Sequence, residues 1–383
     1  MSAEPRTTSS LLRRMNTREV LAALQRQGPL SRAEIARHTG ISNPTITRTV
    51  ADLLAARLLE EGELQQAPLG RPAKVLRLAT ETVSVLGVVV GVKTCELVSA
   101  GLDGLLHDDR VLSFPTPPRY GDLVRRIAEH AERCARESKT AVLGLGISIP
   151  GLLSRKDQRT LVSPNLHQTD GQQLGVDVAE RLGLETAILQ ETHALCLAEQ
   201  TYGAARGVED FAMLDITGGL GLGVVQGGRF LQGHRGLAGE LGHLTVDLAG
   251  RRCGCGNLGC LETVATDTAL AQLVGERLRR ELSTDEVIAQ IKSGQIAADA
   301  EMALVLDYLA VGLAAVINLF NPQKLFIYGR LFDAGPRVYP KLLEATARRT
   351  LAPSLADCEI IRARGNKRLG AVAGIIERLM TGT

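Results

Sequence analysis

Apolar positions recur first at helical spacing and later in unbroken runs, and that change of rhythm divides the chain. Between Thr17 and Gln25, the apolar Val20, Leu21 and Leu24 fall on one helical face. Gly28-Pro29 ends this helix, and Ser31-Arg32-Ala33-Glu34 supplies the hydroxyl and carboxylate of a capping box for the next. Thr39-Gly40 is its stop signal. A third helix is predicted from a Ser42 cap through about Ala56, with Ile46, Val50, Leu53 and Leu54 facing inward. Helix, glycine-containing turn and helix form a helix-turn-helix, whose second member lies in the major groove of DNA. Leu58–Gly62 and Val75–Leu78 can pair as the strands of a wing, with Leu69-Gly70-Arg71-Pro72 at its tip.

From Val83 onward, β-rich segments punctuated by glycine alternate with helices. Val83–Val92 and Val98–Leu102 read as buried strands, Tyr120–Glu137 as a helix and Val142–Ile149 as a further strand. Such alternation predicts an α/β body. At 383 residues the chain has room for two or three domains. Aromatic residues are 3% of the chain and Trp is absent, so the core is aliphatic and base-stacking platforms are not expected. We find no charge-free apolar window of about 18 residues, the length a membrane span requires. Met1–Arg14 is polar and basic and lacks the apolar core of a signal peptide. The expectation is a cytoplasmic protein without membrane association.

A net charge of +2 means little until it is located. Residues 1–80 hold 12 Lys and Arg against 7 acids, leaving the rest of the chain mildly acidic. A basic head on an acidic body suits duplex DNA as partner. At the start of the third helix, Ser42, Asn43, Thr45, Thr47 and Arg48 are short polar groups plus one arginine, suited to base edges and phosphates. An extended Gly70-Arg71-Pro72 can slide its guanidinium into a narrow minor groove.

Chemistry concentrates in one run, Gly239-Glu240-Leu241-Gly242-His243 followed by Cys253-Gly254-Cys255-Gly256-Asn257-Leu258-Gly259-Cys260-Leu261-Glu262. Three of the seven cysteines lie here, ten positions after a histidine. Three thiolates and one imidazole complete a tetrahedral zinc site, predicting one structural Zn2+ per chain on His243, Cys253, Cys255 and Cys260. Three clustered cysteines cannot all pair as disulfides, and a reducing cytoplasm favours metal. A closed site of this kind fixes backbone rather than performing chemistry.

The same run resembles the signature of the ROK family of repressors, open reading frames and sugar kinases. The likeness extends to Gly144–Gly151, Ser163-Pro164-Asn165-Leu166, the glycine run Gly218–Gly223, and Ile327-Tyr328-Gly329. It implies two actin-like lobes hinged around a cleft behind a winged helix-turn-helix. The expected domains are 1–80 for DNA, 82–198 with the C-terminal helix 371–383 for lobe one, and 199–370 for lobe two with the zinc site. The resemblance further implies a sugar pocket of Asn165, Glu191, Glu240, His243 and Glu262, and adds Arg32 to the DNA-reading set. A hexose offers a ring of hydroxyls, and buried carboxylates and amides reject the wrong epimer by being left unpaired.

Two motifs of the family's kinases are altered. Their phosphate loop carries an Asp-x-Gly-Gly-Thr, whereas Gly87–Thr94 puts Val89 in the place of the acid and Val92-Lys93 in the place of Gly-Thr. Their Asn-Asp pair is replaced by Gln190-Glu191. One extra methylene displaces the base by about 1 Å, enough to cost on the order of 100-fold in rate. The sequence therefore predicts no enzyme but a repressor of carbohydrate-metabolism genes. It responds to a small sugar effector and binds an inverted-repeat operator as a homodimer or homotetramer. The rivals are an active sugar kinase with a DNA-binding head, and a DNA-binding protein without ligand.

Overall fold

The computed structural model describes residues 5–65, 73–107, 111–154 and 157–381. The wing tip with Gly70, Arg71 and Pro72 lies outside the described residues. The chain divides into two units: residues 1–147, 175–188 and 371–383, and residues 148–174 with 189–370.

In the first unit, helix α1 runs Pro5–Gln27, beginning well before the expected Thr17. Its buried face is Val20, Leu21, Ala23 and Leu24, while Leu12 and Met15 are exposed. Hydrophobic spacing therefore reveals only the packed end. Strand β1 (Leu30–Ser31) leads into α2 (Arg32–Thr39), where the capping box is closed. Glu34 N–H donates to Ser31 Oγ at 3.3 Å, and Ser31 N–H donates to Glu34 Oε2 at 2.8 Å. Gly40 ends α2 at φ 70°, a left-handed conformation costly for a residue with a Cβ. Helix α3 (Asn43–Ala55) starts at Ser42, but the Ser42 hydroxyl meets Thr45 Oγ1 at 3.0 Å instead of capping an amide. Ile46, Thr49, Val50 and Leu53 are buried along α3, and Leu54 is half-buried.

Strands β2 (Leu59–Gln65) and β3 (Ala73–Leu78) pair antiparallel as the wing, and β1 adds to the free edge of β3. Glu60 ties the wing to the segment leading into the body. It accepts hydrogen bonds from Glu81 N–H, Thr82 N–H and the Thr82 hydroxyl at 3.1, 2.9 and 2.8 Å. A single apolar core then runs from Val20, Leu24, Ile46 and Leu76 to Val83, Val85 and Val98.

Strands β4 (Val83–Val90), β5 (Thr94–Ala100) and β6 (Leu112–Pro115) form an antiparallel series. After α4 (Tyr120–Glu137), β7 (Ala141–Ile149) lies on the other side of β4. Short strands β8 (Leu152–Ser154) and β9 (Arg159–Val162), helix α5 (Leu174–Leu182) and strand β10 (Glu185–Gln190) come next. The resulting sheet has the order β10-β7-β4-β5-β6.

The second unit is built on α6 (Glu191–Tyr202), β11 (Phe211–Asp215), β12 (Gly221–Gln226) and β13 (Arg229–Phe230). Helices α7 (Asp267–Leu278), α8 (Thr284–Lys292) and α9 (Asp299–Phe320) succeed them, then β14 (Lys324–Tyr328), α10 (Val338–Ala347), α11 (Ala352–Ala356) and β15 (Glu359–Arg362). Its sheet runs β13-β12-β11-β14-β15, with β11, β14 and β15 parallel. Helix α9 is long and apolar enough to cross a membrane by length and composition. Here Val305, Leu309, Leu313 and Ile317 fill the unit's main core, which accounts for its hydrophobicity. The last helix, α12 (Lys367–Thr381), begins in the second unit and continues into the first, where Val372, Ile375 and Ile376 join the core cluster that runs from Val83 and Val85 to Val20 and Leu24.

Candidate functional site

The loop between β13 and α7 has little regular structure and is held by backbone bonds that its glycines permit. Cys253 N–H donates to Asn257 O at 2.8 Å, Gly259 N–H to Arg251 O at 2.8 Å, and Val246 N–H to Gly259 O at 2.8 Å. A Cβ on Gly259, which has φ +65°, would stand 1.6 Å from Asp247 O. One on Gly242 would stand 2.1 Å from Leu220 O. Any side chain at either position would push the loop apart.

These contacts gather the four predicted ligands. One donor atom each from His243, Cys253, Cys255 and Cys260 lies within 4.8 Å of all the others. Cys255 Sγ and Cys260 Sγ are 3.7 Å apart, and Cys253 Sγ is 3.6 Å from His243 Nδ1. Ligands about 2.3 Å from a tetrahedral centre are separated by about 3.8 Å, so the cluster fits a zinc ion in size as well as in donor type. Cys253 Sγ also lies 2.8 Å from Glu262 Oε1. As thiolate and carboxylate these two would repel, and a cation among the sulfurs relieves that repulsion.

The cluster adjoins an open cavity whose lining includes Asn165, Glu191, Glu240, His243 and Glu262, all five residues expected to hold a sugar. Because Nδ1 of His243 faces the thiols, Nε2 is left on the other side, 3.7 Å from Glu240 Oε2. Leu220 N–H donates to Glu262 Oε2 at 3.4 Å, and a Cβ on Gly219 would come within 2.7 Å of the same oxygen. Burial pushes the Glu240 carboxyl above its usual range, against the opposing pull of His243 and Gln190. Asn165 is exposed at the rim, close against Gly254 of the cysteine loop.

Glu191 is the first residue of α6 and Gln190 its N-cap. Glu191 is not a free base. Its Oε1 is 2.7 Å from Lys367 Nζ, which also reaches Asp215 Oδ2 at 2.7 Å. Burial holds the Glu191 carboxyl above its usual range, with Asp215 adding to the rise and Lys367 only partly opposing it. Burial disfavours the Lys367 ammonium, but Asp215 and Glu191 more than restore it. Sequence reasoning missed Asp215 and Lys367. An acid at the end of a strand before Thr217-Gly218-Gly219 is a readable signal. Lys367 is hidden among Arg362, Arg364 and Arg368, where the chain reads as a solvated basic run.

The glycine run serves packing. A Cβ on Gly221 would be 2.5 Å from Thr192 Cγ2, and one on Gly223 would be 2.6 Å from Cys196 Sγ, so both glycines allow β12 to lie against α6. The stretch aligned with a phosphate loop is a tight β4–β5 hairpin in which Gly91 N–H donates to Thr94 O at 3.1 Å. Val92, Lys93 and Thr94 at its tip are exposed.

On the head, Ser42, Asn43, Thr47 and Arg48 are exposed along the start of α3, with Thr45 half-buried. Thr47 Oγ1 donates to Asn43 O at 2.9 Å. Arg32 turns to the wing, 3.3 Å from Glu61 Oε1, and Lys74 binds the same carboxylate at 2.6 Å.

The sequence profile of the ROK family matches residues 85–377. That of the MarR family matches residues 9–66. The xylose repressor of Bacillus subtilis is 27% identical over 86% of this chain and 85% of its own length. The DNA-binding transcriptional dual regulator NagC of Escherichia coli is 26% identical, covering 97% of this chain and 95% of that protein. Among solved structures, a ROK family transcriptional regulator, homolog of the Escherichia coli MLC protein, superposes with a TM-score of 0.82 at 27% identity over 97% of both chains. A ROK family glucokinase from Streptomyces griseus, in complex with glucose and AMPPNP, superposes with a TM-score of 0.69. Its 22% identity, over 76% of this chain and 97% of its own, makes this a likeness of fold alone.

Proposed function

Since this chain belongs to the ROK family, we propose that it is a sugar-responsive, DNA-binding transcriptional repressor of carbohydrate genes that does not phosphorylate its effector. One observation carries the proposal: all five expected sugar residues line a single cavity beside the cluster of one histidine and three cysteines, in a chain whose head is a winged helix-turn-helix.

In this reading His243, Cys253, Cys255 and Cys260 hold one structural zinc, which supplies no chemistry and fixes the loop carrying Glu240 and Glu262. Glu240 and Glu262 accept hydrogen bonds from sugar hydroxyls, His243 Nε2 donates to one, and Asn165 closes the rim with donor and acceptor together. The names of relatives, a xylose repressor and an N-acetylglucosamine repressor, support a monosaccharide effector.

Phosphoryl transfer lacks its parts. No acid lies in the Gly91–Thr94 hairpin to hold magnesium. Glu191, in the place of the base, is tied to Lys367 and cannot take a hydroxyl proton without breaking a buried ion pair.

Residues 1–80 read the operator through Ser42, Asn43, Thr45, Thr47 and Arg48, with Arg32 and the Gly70-Arg71-Pro72 tip beside them. Residues 82–198 with 371–383, and residues 199–370, form the two lobes of the sensor. One head offers few base contacts, so a homodimer or homotetramer on an inverted repeat in the cytoplasm completes the reading.

The test titrates monosaccharides into the protein bound to its operator, with and without ATP and magnesium. We expect at least one sugar to change operator affinity equally in both conditions, with no sugar phosphate formed. Formation of sugar phosphate hands the case to a kinase; no response to any sugar ends the sensor reading.

A further inference from the structure

The Lys367 side chain is 13% exposed and its ammonium has three partners from two segments: Glu191 at the start of α6, and Asp215 at the end of β11 with Thr217 Oγ1 just after it, at 3.1 Å. Two of these partners, Glu191 and Asp215, line the cavity. A ligand hydroxyl that donates to either carboxylate therefore competes with the ammonium for the same negative charge. A buried ammonium tolerates little loss of its counter-charge, so the cluster must rearrange when the ligand binds.

The surrounding backbone dictates where that rearrangement goes. Just before Lys367, the chain is clamped: Arg364 N–H and Gly365 N–H both donate to Glu199 Oε1, at 2.5 and 2.6 Å. Lys367 itself is the first residue of α12. One turn on, a Cβ at Gly370 would stand 2.2 Å from Ala194 O, so the helix start lies flush on α6, the helix that begins with Glu191. Beyond Gly370, Val372, Ile375 and Ile376 are buried in the core shared with Val20 and Leu24 of α1 and Leu76 and Leu78 of the wing.

From this arrangement we infer that Lys367 is a positioning residue that transmits effector binding to the DNA-reading head through α12. This role rests on the sensor reading and names the residue by which that sensor acts. Lys367 belongs neither to the head nor to the lining of the cavity. Its effect is on the coupling between the two.

The experiment uses the full-length protein, with duplex DNA that it selects from a random library and with glucose, xylose and N-acetylglucosamine as probes. In the wild type, the active sugar should change DNA affinity by about 5- to 150-fold, the usual span of allosteric coupling. In Lys367→Met, DNA affinity without sugar should stay within about fivefold of wild type and calorimetry should still register sugar binding, while the sugar-induced change in DNA affinity falls below about twofold. A variant that responds like the wild type overturns the inference. So does one that no longer binds sugar, since Lys367 would then only shape the pocket. Hydrogen exchange on the wild type gives a reading independent of any variant's folding: protection of the α12 amides should change when sugar binds, and unchanged protection also overturns the inference. A wild type indifferent to every sugar overturns the sensor reading itself, and the coupling with it.

Discussion

At the scale of single residues, atoms without side chains matter as much as ligands. Gly259 contributes no donor to the histidine-cysteine cluster, yet its missing Cβ lets the Asp247 carbonyl lie where a methyl would be. Gly259→Ala should cost on the order of 1–3 kcal/mol in stability and lower the metal content measured by elemental analysis. Full metal content in that variant would show that the loop folds without this close approach. Cys255→Ser removes one of the four proposed ligands and should lose both metal and thermal stability, because binding of a metal there would be linked to folding of the loop. Glu199 is fully buried and its carboxylate accepts from the amides of Ala204, Arg364 and Gly365. Glu199→Gln replaces one acceptor oxygen by a donor facing an amide, and should destabilise by about 1–3 kcal/mol in denaturant unfolding. The cysteines and histidine were legible because a tetrahedral metal site would impose such types and spacing. Glu199 was not, since a buried acid serving backbone amides leaves no pattern along the chain.

At the scale of elements, the capping box of α2 and the limits of α4 follow from local chemistry and were readable as written. The start of α1 was not, because a hydrophobic period marks only a packed face, and Leu12 and Met15 stay exposed ahead of it. Lys367 escaped for a related reason: burial is settled by distant segments, and only the fold brings Glu191, Asp215 and Lys367 together. The joint between wing and body was equally silent. Burial pushes the Glu60 carboxyl up, but the hydroxyl and amide of Thr82 and the amides of Thr80 and Glu81 outweigh it and hold the group below its usual range. A carboxyl depressed in the folded state stabilises above its unfolded value of 4.5 and loses that contribution as pH falls through the folded value. Melting temperature should therefore drop on acidification below pH 4.5, and Glu60→Gln should flatten that drop. Equal acid sensitivity in both proteins would assign the loss to other carboxylates.

For the whole molecule, the alternation of strands and helices disclosed the α/β class, and the family signature disclosed the winged helix-turn-helix ahead of a ROK body. No spacing rule reveals that residues near the other end of the chain share one core cluster with those of the head. Removal of residues 367–383 should leave a protein whose residues 1–80 are cut rapidly by protease and bind DNA poorly, although every side chain proposed to read bases remains. Wild-type protease resistance of the head in that truncation would show that α12 contributes nothing to it. The same feature bears on biosynthesis. A ribosome adding about 5–20 residues per second takes roughly 15–60 s to travel from the end of the head to α12. Throughout that interval the core cluster shared with the head lacks its α12 members. A nascent chain should thus compete poorly for operators until α12 has been made.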